Sequence, residues 1–319
     1  MGKYFVRRLL IAIPTLLVIS FVIFAILALA PGDPMAQFGA NPNVPAELRE
    51  RIKESLGLNQ PWPVRYVKWL GAMLRGDWGF SFAARMPVTT LIAQRLPQTL
   101  WVVGVAYLVA LLIAIPVGII SAVKQYSLFD QFATTFAFVG FSVPTFFTGL
   151  LLILIFSVKL NWFPSIYNSS LKVTDFASFL QQLKQMALPI TVLALFESAS
   201  TTRFMRSSML DNLPQDYVRT ARAKGLAEQK VVLRHVLANS LIPVVTLVAL
   251  GIPSVFAGAI ITEQVFRVNG LGELLISSIT KSDTPVVMAL TFIFAALVVV
   301  FNLVADLLYG LLDPRIRYD

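Results

Sequence analysis

Cysteine is absent from the 319-residue sequence. No disulfide and no thiolate metal site is therefore possible, and the redox compartment leaves no mark. Charge is scarce: 13% of residues are Asp, Glu, Lys or Arg, against roughly 25% in a soluble domain. So little charge cannot cover the surface of a water-soluble globule. Histidine occurs once, as His235, and without a second ligand a packing or helix-surface role is expected of it. No paired carboxylates stand at metal or acid–base spacing, which argues against a membrane enzyme. No G-x-x-x-x-G-K-[ST] phosphate loop occurs either, so the chain is not expected to hydrolyse ATP or to hold a cofactor or metal.

What is abundant is apolar surface: 57% of residues are hydrophobic and mean hydropathy is +0.75. The excess falls into long runs, and uncharged runs of about 18 or more residues read as bilayer spans. Residues 9–30, 99–123, 132–158 and 241–261 carry no charge; residues 186–202 carry only Glu197, and residues 286–310 only Asp306. The first run is too long for a signal peptide and no small-residue cleavage site follows it. The expectation is an all-α polytopic membrane protein with about six transmembrane helices.

Net charge is +9, which fits orientation in a membrane better than nucleic-acid binding. Flanks 1–8, 124–131, 203–239 and 311–319 hold 13 Lys and Arg, whereas the opposite short flanks 159–185 and 262–285 hold 5. Both termini are therefore expected in the cytoplasm. Residues 31–98 form a long external loop, whose charge does not vote. After Pro45 a helix is expected over residues 46–56, stopped by Gly57, and another over about 64–74. In the latter, Tyr66, Leu70, Met73 and Leu74 can share a face. Trp62, Trp69, Trp78, Phe80 and Phe82 crowd this loop, which reads either as a packed cap or as a docking surface. Pro116, Pro144, Pro189 and Pro253 fall inside or at the start of spans, as kinks or as hinges.

Loop 203–239 is the most informative. Pro214 sits at a plausible helix start, and Asp216 follows where a negative charge suits the helix dipole. Tyr217, Arg219, Thr220, Ala221, Arg222, Ala223, Lys224 and Gly225 come next. Ala221 and Gly225 are four apart, so on one helix they would share a face. Small residues there would let another surface approach the backbone. A short helix with a small-residue patch and basic edges could plug another protein's groove, or be an ordinary solvated loop.

The segment DYVRTARAKG at 216–225, followed by Pro243, resembles the "EAA" loop of binding-protein-dependent ABC importer permeases. PGDP at 31–34, LGLNQPWPVRY at 56–66, GDWGFS at 76–81, VNGLGELL at 268–275 and LLDPRIRYD at 311–319 are similar to the dipeptide/oligopeptide/nickel branch, closest to its B-type subunit. Where the generic loop begins with glutamate this chain has Arg219 and Thr220, a form common in the peptide branch.

The resemblance covers nearly the whole chain and implies a type I importer permease (MetI-like) fold. Residues 1–98 would be the first helix plus the external loop, and 99–319 a five-helix core with the coupling loop at about 206–239. Residues 216–225 would form the coupling helix, with Ala221 and Gly225 facing an ATPase and Arg219, Arg222 and Lys224 flanking. ATP and Mg would be held by two ATPase subunits. A second permease and an external solute-binding protein would complete the machine, in a bacterial or archaeal cytoplasmic membrane. Loops 31–98, 159–185 and 262–285 would meet the binding protein. Di- and oligopeptides are the expected solute, with nickel chelates, glutathione or oligosaccharides as alternatives and a secondary transporter as a remote one. Glu197 and Asp306, costly inside a bilayer, would contact a charged end of the solute, or Glu197 would pair with Arg203 or Arg206.

Overall fold

The computed structural model describes residues 2–29, 59–257 and 259–312. The expected helix at 46–56, the PGDP motif, the start of LGLNQPWPVRY and nearly all of LLDPRIRYD lie outside them.

Among the described residues the chain is helical apart from one two-stranded hairpin. Helix α1 is Gly2–Leu29 and α2 is Trp62–Leu74. Strands β1 (Phe80–Ser81) and β2 (Met86–Pro87) pair antiparallel and lead into α3, Val88–Val123. Next come α4 (Leu128–Ser142) and α5 (Thr145–Leu152), the latter extended by a wide turn, Ile153–Lys159. Helix α6 is Phe176–Asn212 and α7 is Asp216–Ala223. Helix α8 is Glu228–Phe256, followed by α9 (Ile260–Phe266), α10 (Leu271–Thr280) and α11 (Thr284–Leu312). Five helices (α1, α3, α6, α8 and α11) are long and apolar enough to cross a membrane, and the bent pair α4–α5 makes six.

That pair differs from the single span expected at 132–158. Its two halves meet at 102°. Pro144 is the cause: it pushes Val143 out of helical space, to φ −90 and ψ 126, because its ring crowds the preceding residue. Pro116, Pro189 and Pro253 instead lie inside continuous helices. Helix α3 also begins at Val88 rather than Thr99, carrying Arg95 within it. Past Pro97 it relaxes into a wide turn, Leu100–Gly104, the form helices take where a backbone donor is missing.

Helix α6 has 37 residues, about 55 Å at 1.5 Å per residue, so its ends must stand outside a hydrocarbon layer of about 30 Å. Its start is set by a capping box: Asp175 accepts from the Ser178 N–H at 2.7 Å, and the Asp175 N–H donates to Ser178 Oγ at 3.0 Å. Helix α3 lies along α6 on a stripe of small residues, Ala106, Ala110, Ala114, Gly118 and Ala122, all buried. Such residues let backbones approach closely where lipid offers no hydrophobic drive. A Cβ on Gly118 would come within 2.7 Å of Met205 Cβ.

Three of the loop aromatics, Trp62, Trp69 and Trp78, pack against the long helices, whereas Phe80 is exposed. Trp62 meets Phe21 of α1 at 5.6 Å between ring centroids, Trp69 meets Phe24 at 5.7 Å, and Trp69 and Trp78 both meet Phe292 of α11. Tyr66 shares a hydrogen bond of 2.9 Å with Ser20. Leu74 does not join the inward face expected of it and is 77% exposed.

Candidate coupling surface and solute cavity

Helix α7 stands at the far end of α6, across the turn at Leu213–Gln215. Pro214 lies in that turn, and Asp216 opens the helix. Only two side chains of α7 are buried, Val218 and Ala221. Three apart, they share one face, and that face rests on Met205, Met209, Val231, Val232 and Val236 of this same chain. This corrects one expectation: Ala221 does not offer itself to a partner, because with Val218 it supplies the buried face that seats this polar eight-residue helix on its own chain.

A second correction concerns Gly225. It lies beyond the end of α7, at φ +75, so it shares no helical face with Ala221. The Gly225 N–H donates to the Arg222 carbonyl at 2.9 Å and the Leu226 N–H to the Ala221 carbonyl at 3.4 Å. This is the paired closure in which a left-handed residue ends a helix, and glycine adopts it without Cβ strain. Nothing lies within 4 Å of where a Cβ would stand.

The exposed side of the unit is therefore Asp216, Arg219, Thr220, Arg222, Ala223, Lys224 and Gly225. Arg222 makes two bonds to Glu228, at 3.0 and 2.6 Å, tying the end of α7 to the start of α8. The neighbouring carboxylate raises the Arg222 pKa further. Arg219 reaches Asp216 at 3.5 Å, and the Thr220 hydroxyl turns back to the Asp216 carbonyl at 2.9 Å. The Tyr217 hydroxyl donates to Asn212 Oδ1 at 2.7 Å, fixing α7 to the end of α6. Beneath, Ser208 of α6 and Ser240 of α8 each donate to the other's carbonyl, at 2.8 and 3.1 Å. The helix is thus mounted on a rigid two-helix base. His235 sits in the wide turn Val231–Val236 within the first part of α8.

The two intramembrane acids separate. Asp306 pairs with Arg8 at 3.1 Å, joining α11 to α1, and it does not line the cavity described next. Glu197 does line it, with Val103, Tyr107, Thr145, Phe196 and Ser254 among others, in a space of about 290 Å³. Glu197 does not take Arg206, whose guanidinium makes two bonds to Asp130 of α4, at 2.7 and 2.8 Å. Arg203 lies over the Phe138 ring, 5.4 Å from its centroid.

A third acid, not singled out from the sequence, is the most buried acid among the described residues. Glu263 of α9 has no exposed surface. Its carboxylate accepts from the Thr99 hydroxyl at 3.1 Å and from the Glu273 N–H at 2.9 Å, while Thr99 Oγ1 accepts from the Leu271 N–H at 2.7 Å. Carboxylate and hydroxyl together cap the start of α10 and tie it to α3. Burial raises the Glu263 carboxyl above the usual carboxylate range, and these donors offset only part of that rise. The glycines of VNGLGELL are what this requires: a Cβ on Gly270 would overlap the Glu263 carboxylate and Thr99, and one on Gly272 would come within 3.0 Å of Glu263 Oε2. Asp283 plays a similar part for GDWGFS. It accepts from Ser81 Oγ at 2.5 Å and the Ala83 N–H at 3.1 Å, holding the hairpin to the start of α11. The two close glycines after an acid were the signal in the sequence for Glu263.

The profile of the binding-protein-dependent transport system inner membrane component matches residues 114–318, and its N-terminal companion matches residues 1–103. The chain belongs to this family. Oligopeptide transport system permease protein AppB of Bacillus subtilis (strain 168) is 46% identical over 319 residues, all of both chains. Glutathione transport system permease protein GsiC of Salmonella typhimurium is 38% identical over 318 residues, again all of both. The chain is a multi-pass inner-membrane permease subunit of an ABC importer with the MetI-like fold.

Proposed function

We propose that this permease carries di- or oligopeptides into the cytoplasm, driven through α7 by ATPase subunits, with both termini on the cytoplasmic side. The observation that carries the reading is α7 itself: a short polar helix seated by Val218 and Ala221, turning Arg219, Arg222, Ala223 and Lys224 outward. Its mount joins α6 to α8, so a push on α7 moves two helices that wall the Glu197 cavity. Alternating access follows: ATP brings two ATPases together, the coupling helices of this chain and a second permease approach, and the spans open outward to an external solute-binding protein. Membrane lipid covers the remaining apolar surface, of which α1 exposes the most continuous stretch. The peptide solute is supported by the name of the 46% identical relative, and glutathione, a tripeptide, is the alternative that the second relative favours.

The test is uptake of labelled peptide into vesicles bearing the assembled complex. Uptake should require ATP, and Gly225→Trp should abolish it while the protein stays in the membrane. Gly225→Ala is the control, because it carries the same left-handed strain without the bulk. Uptake that survives ATP depletion and follows a proton or sodium gradient would replace this reading with a secondary transporter. A mild-detergent purification that retains two P-loop ATPases, a second permease and a receptor would support the assembly.

A further inference from the structure

The cavity beside Glu197 lies where the helices lose their regularity. Val103 comes from the wide turn of α3, Thr145 from just past the 102° bend between α4 and α5, and Ser254 and Ile260 from either side of the α8–α9 break. Glu197 is near the middle of α6. Broken helices meeting around an ionisable group are one way in which membrane proteins expose polar atoms to a solute.

Four hydroxyls line this cavity, those of Tyr107, Thr145, Ser254 and Thr262, and two of them have their protons engaged. The Tyr107 hydroxyl spends its proton on the Val248 carbonyl at 2.8 Å, and the Ser254 hydroxyl on the Gly251 carbonyl at 2.6 Å. Each oxygen can then only accept, as can an ionised carboxylate. No Lys, Arg or His is among the described lining residues. Gly251 preserves the arrangement, since a Cβ there would overlap the Tyr107 hydroxyl. The rest of the wall is mostly apolar and includes the aromatic side chains of Phe196 and Tyr107. About 290 Å³ is at the lower limit for a ligand pocket, roughly 300 Å³, and suits the end of a chain rather than a whole one.

We propose that this cavity is a solute subsite for a primary ammonium group, the amino terminus of a transported peptide, with Glu197 as its counter-charge and the Tyr107 and Ser254 oxygens as further acceptors. The assignment of the ammonium to a peptide rests on the peptide reading above; the charge preference of the cavity does not.

The natural absence of cysteine makes a direct test available. Thr145→Cys, in the assembled complex, is treated with an ammonium-bearing or a sulfonate-bearing methanethiosulfonate, and modification of this chain is followed by mass spectrometry. Each rate is normalised to that with free cysteine. The ammonium reagent should be favoured by about ten-fold or more, and adding Glu197→Gln should remove the preference. Trialanine should protect the cysteine and N-acetyl-trialanine should not; protection by N-acetyl-Ala-Lys-Ala would place a side-chain ammonium in the same subsite. Equal rates, a preference that survives Glu197→Gln, equal protection by all three peptides, or a cysteine inert to both reagents would each overturn the proposal. Failure of the peptide reading looks different: the charge preference stands, but none of the peptides protects and none is taken up.

Discussion

The coupling end of this permease and its α9–α11 end are built on opposite principles. At the α9–α11 end, two acids with almost no exposed surface, Glu263 and Asp283, hold separate segments by bonds to backbone N–H groups and to Thr99 and Ser81. At the coupling end, α7 is seated by two small apolar side chains, and its charges pair at the surface. Buried, directional bonds fix one geometry and are costly to break, because any partner left behind is desolvated and unmatched. Apolar seating is tolerant of small shifts, and exposed ion pairs can be exchanged for a partner's groups at little cost. The first design suits a part that must hold shape, the second a part that must be gripped.

The sharpest way to break the comparison is at Glu263. Glu263→Ala should destabilise the purified protein by about 4 kcal/mol, since it strands Thr99 and the α10 N–H groups in the interior; an unchanged thermal midpoint in detergent would show that this end is not so locked. Arg206→Ala probes the exception at the coupling end, the nearly buried Asp130. It should cost about 3 kcal/mol by leaving that carboxylate unpaired, whereas Arg206→Lys should recover part of the loss. Gly270→Ala should cost about 2 kcal/mol, as overpacking against Glu263 and Thr99 does, and in a Glu263→Ala background its effect should shrink without vanishing, because Thr99 still crowds the new Cβ. Gly225→Ala should cost only about 1 kcal/mol, the strain of a left-handed turn; a loss of uptake far beyond that loss of fold would show that the helix end itself transmits force. Arg222→Ala should change stability least, within about 1 kcal/mol, and its consequence should be read in ATP hydrolysed per peptide carried. A large loss of stability there would erase the distinction between the ends.

Much of this was legible in one dimension. Sparse charge and long apolar runs fixed the spans, because hydrocarbon admits little else. Helix α2 appears at Trp62–Leu74, close to the stretch expected from its pattern, and Asp216 opens α7. The small residues of α3 recur every four positions and could have been read as a packing stripe. What misled was the inference of which way a residue faces. Ala221 is small in either role; whether it meets a partner or its own core depends on Met205, Met209 and Val231, all distant in sequence. Gly225 reads equally as a helical surface or a helix stop until its φ is known. The acids show the same limit, since Glu197, Glu263 and Asp306 are alike on paper.

Sequence by itself determined that this protein lives in a membrane, roughly where it crosses, and which family loop it presents. Those properties rest on local composition and spacing, which each segment carries alone. Only tertiary structure decided that Asp306 belongs to Arg8, Arg206 to Asp130 and Glu263 to Thr99 and α10, leaving Glu197 to face a cavity. A carboxylate's role is set by which donors converge on it, and convergence of donors from four different helices is a property of the packed molecule that no one segment contains.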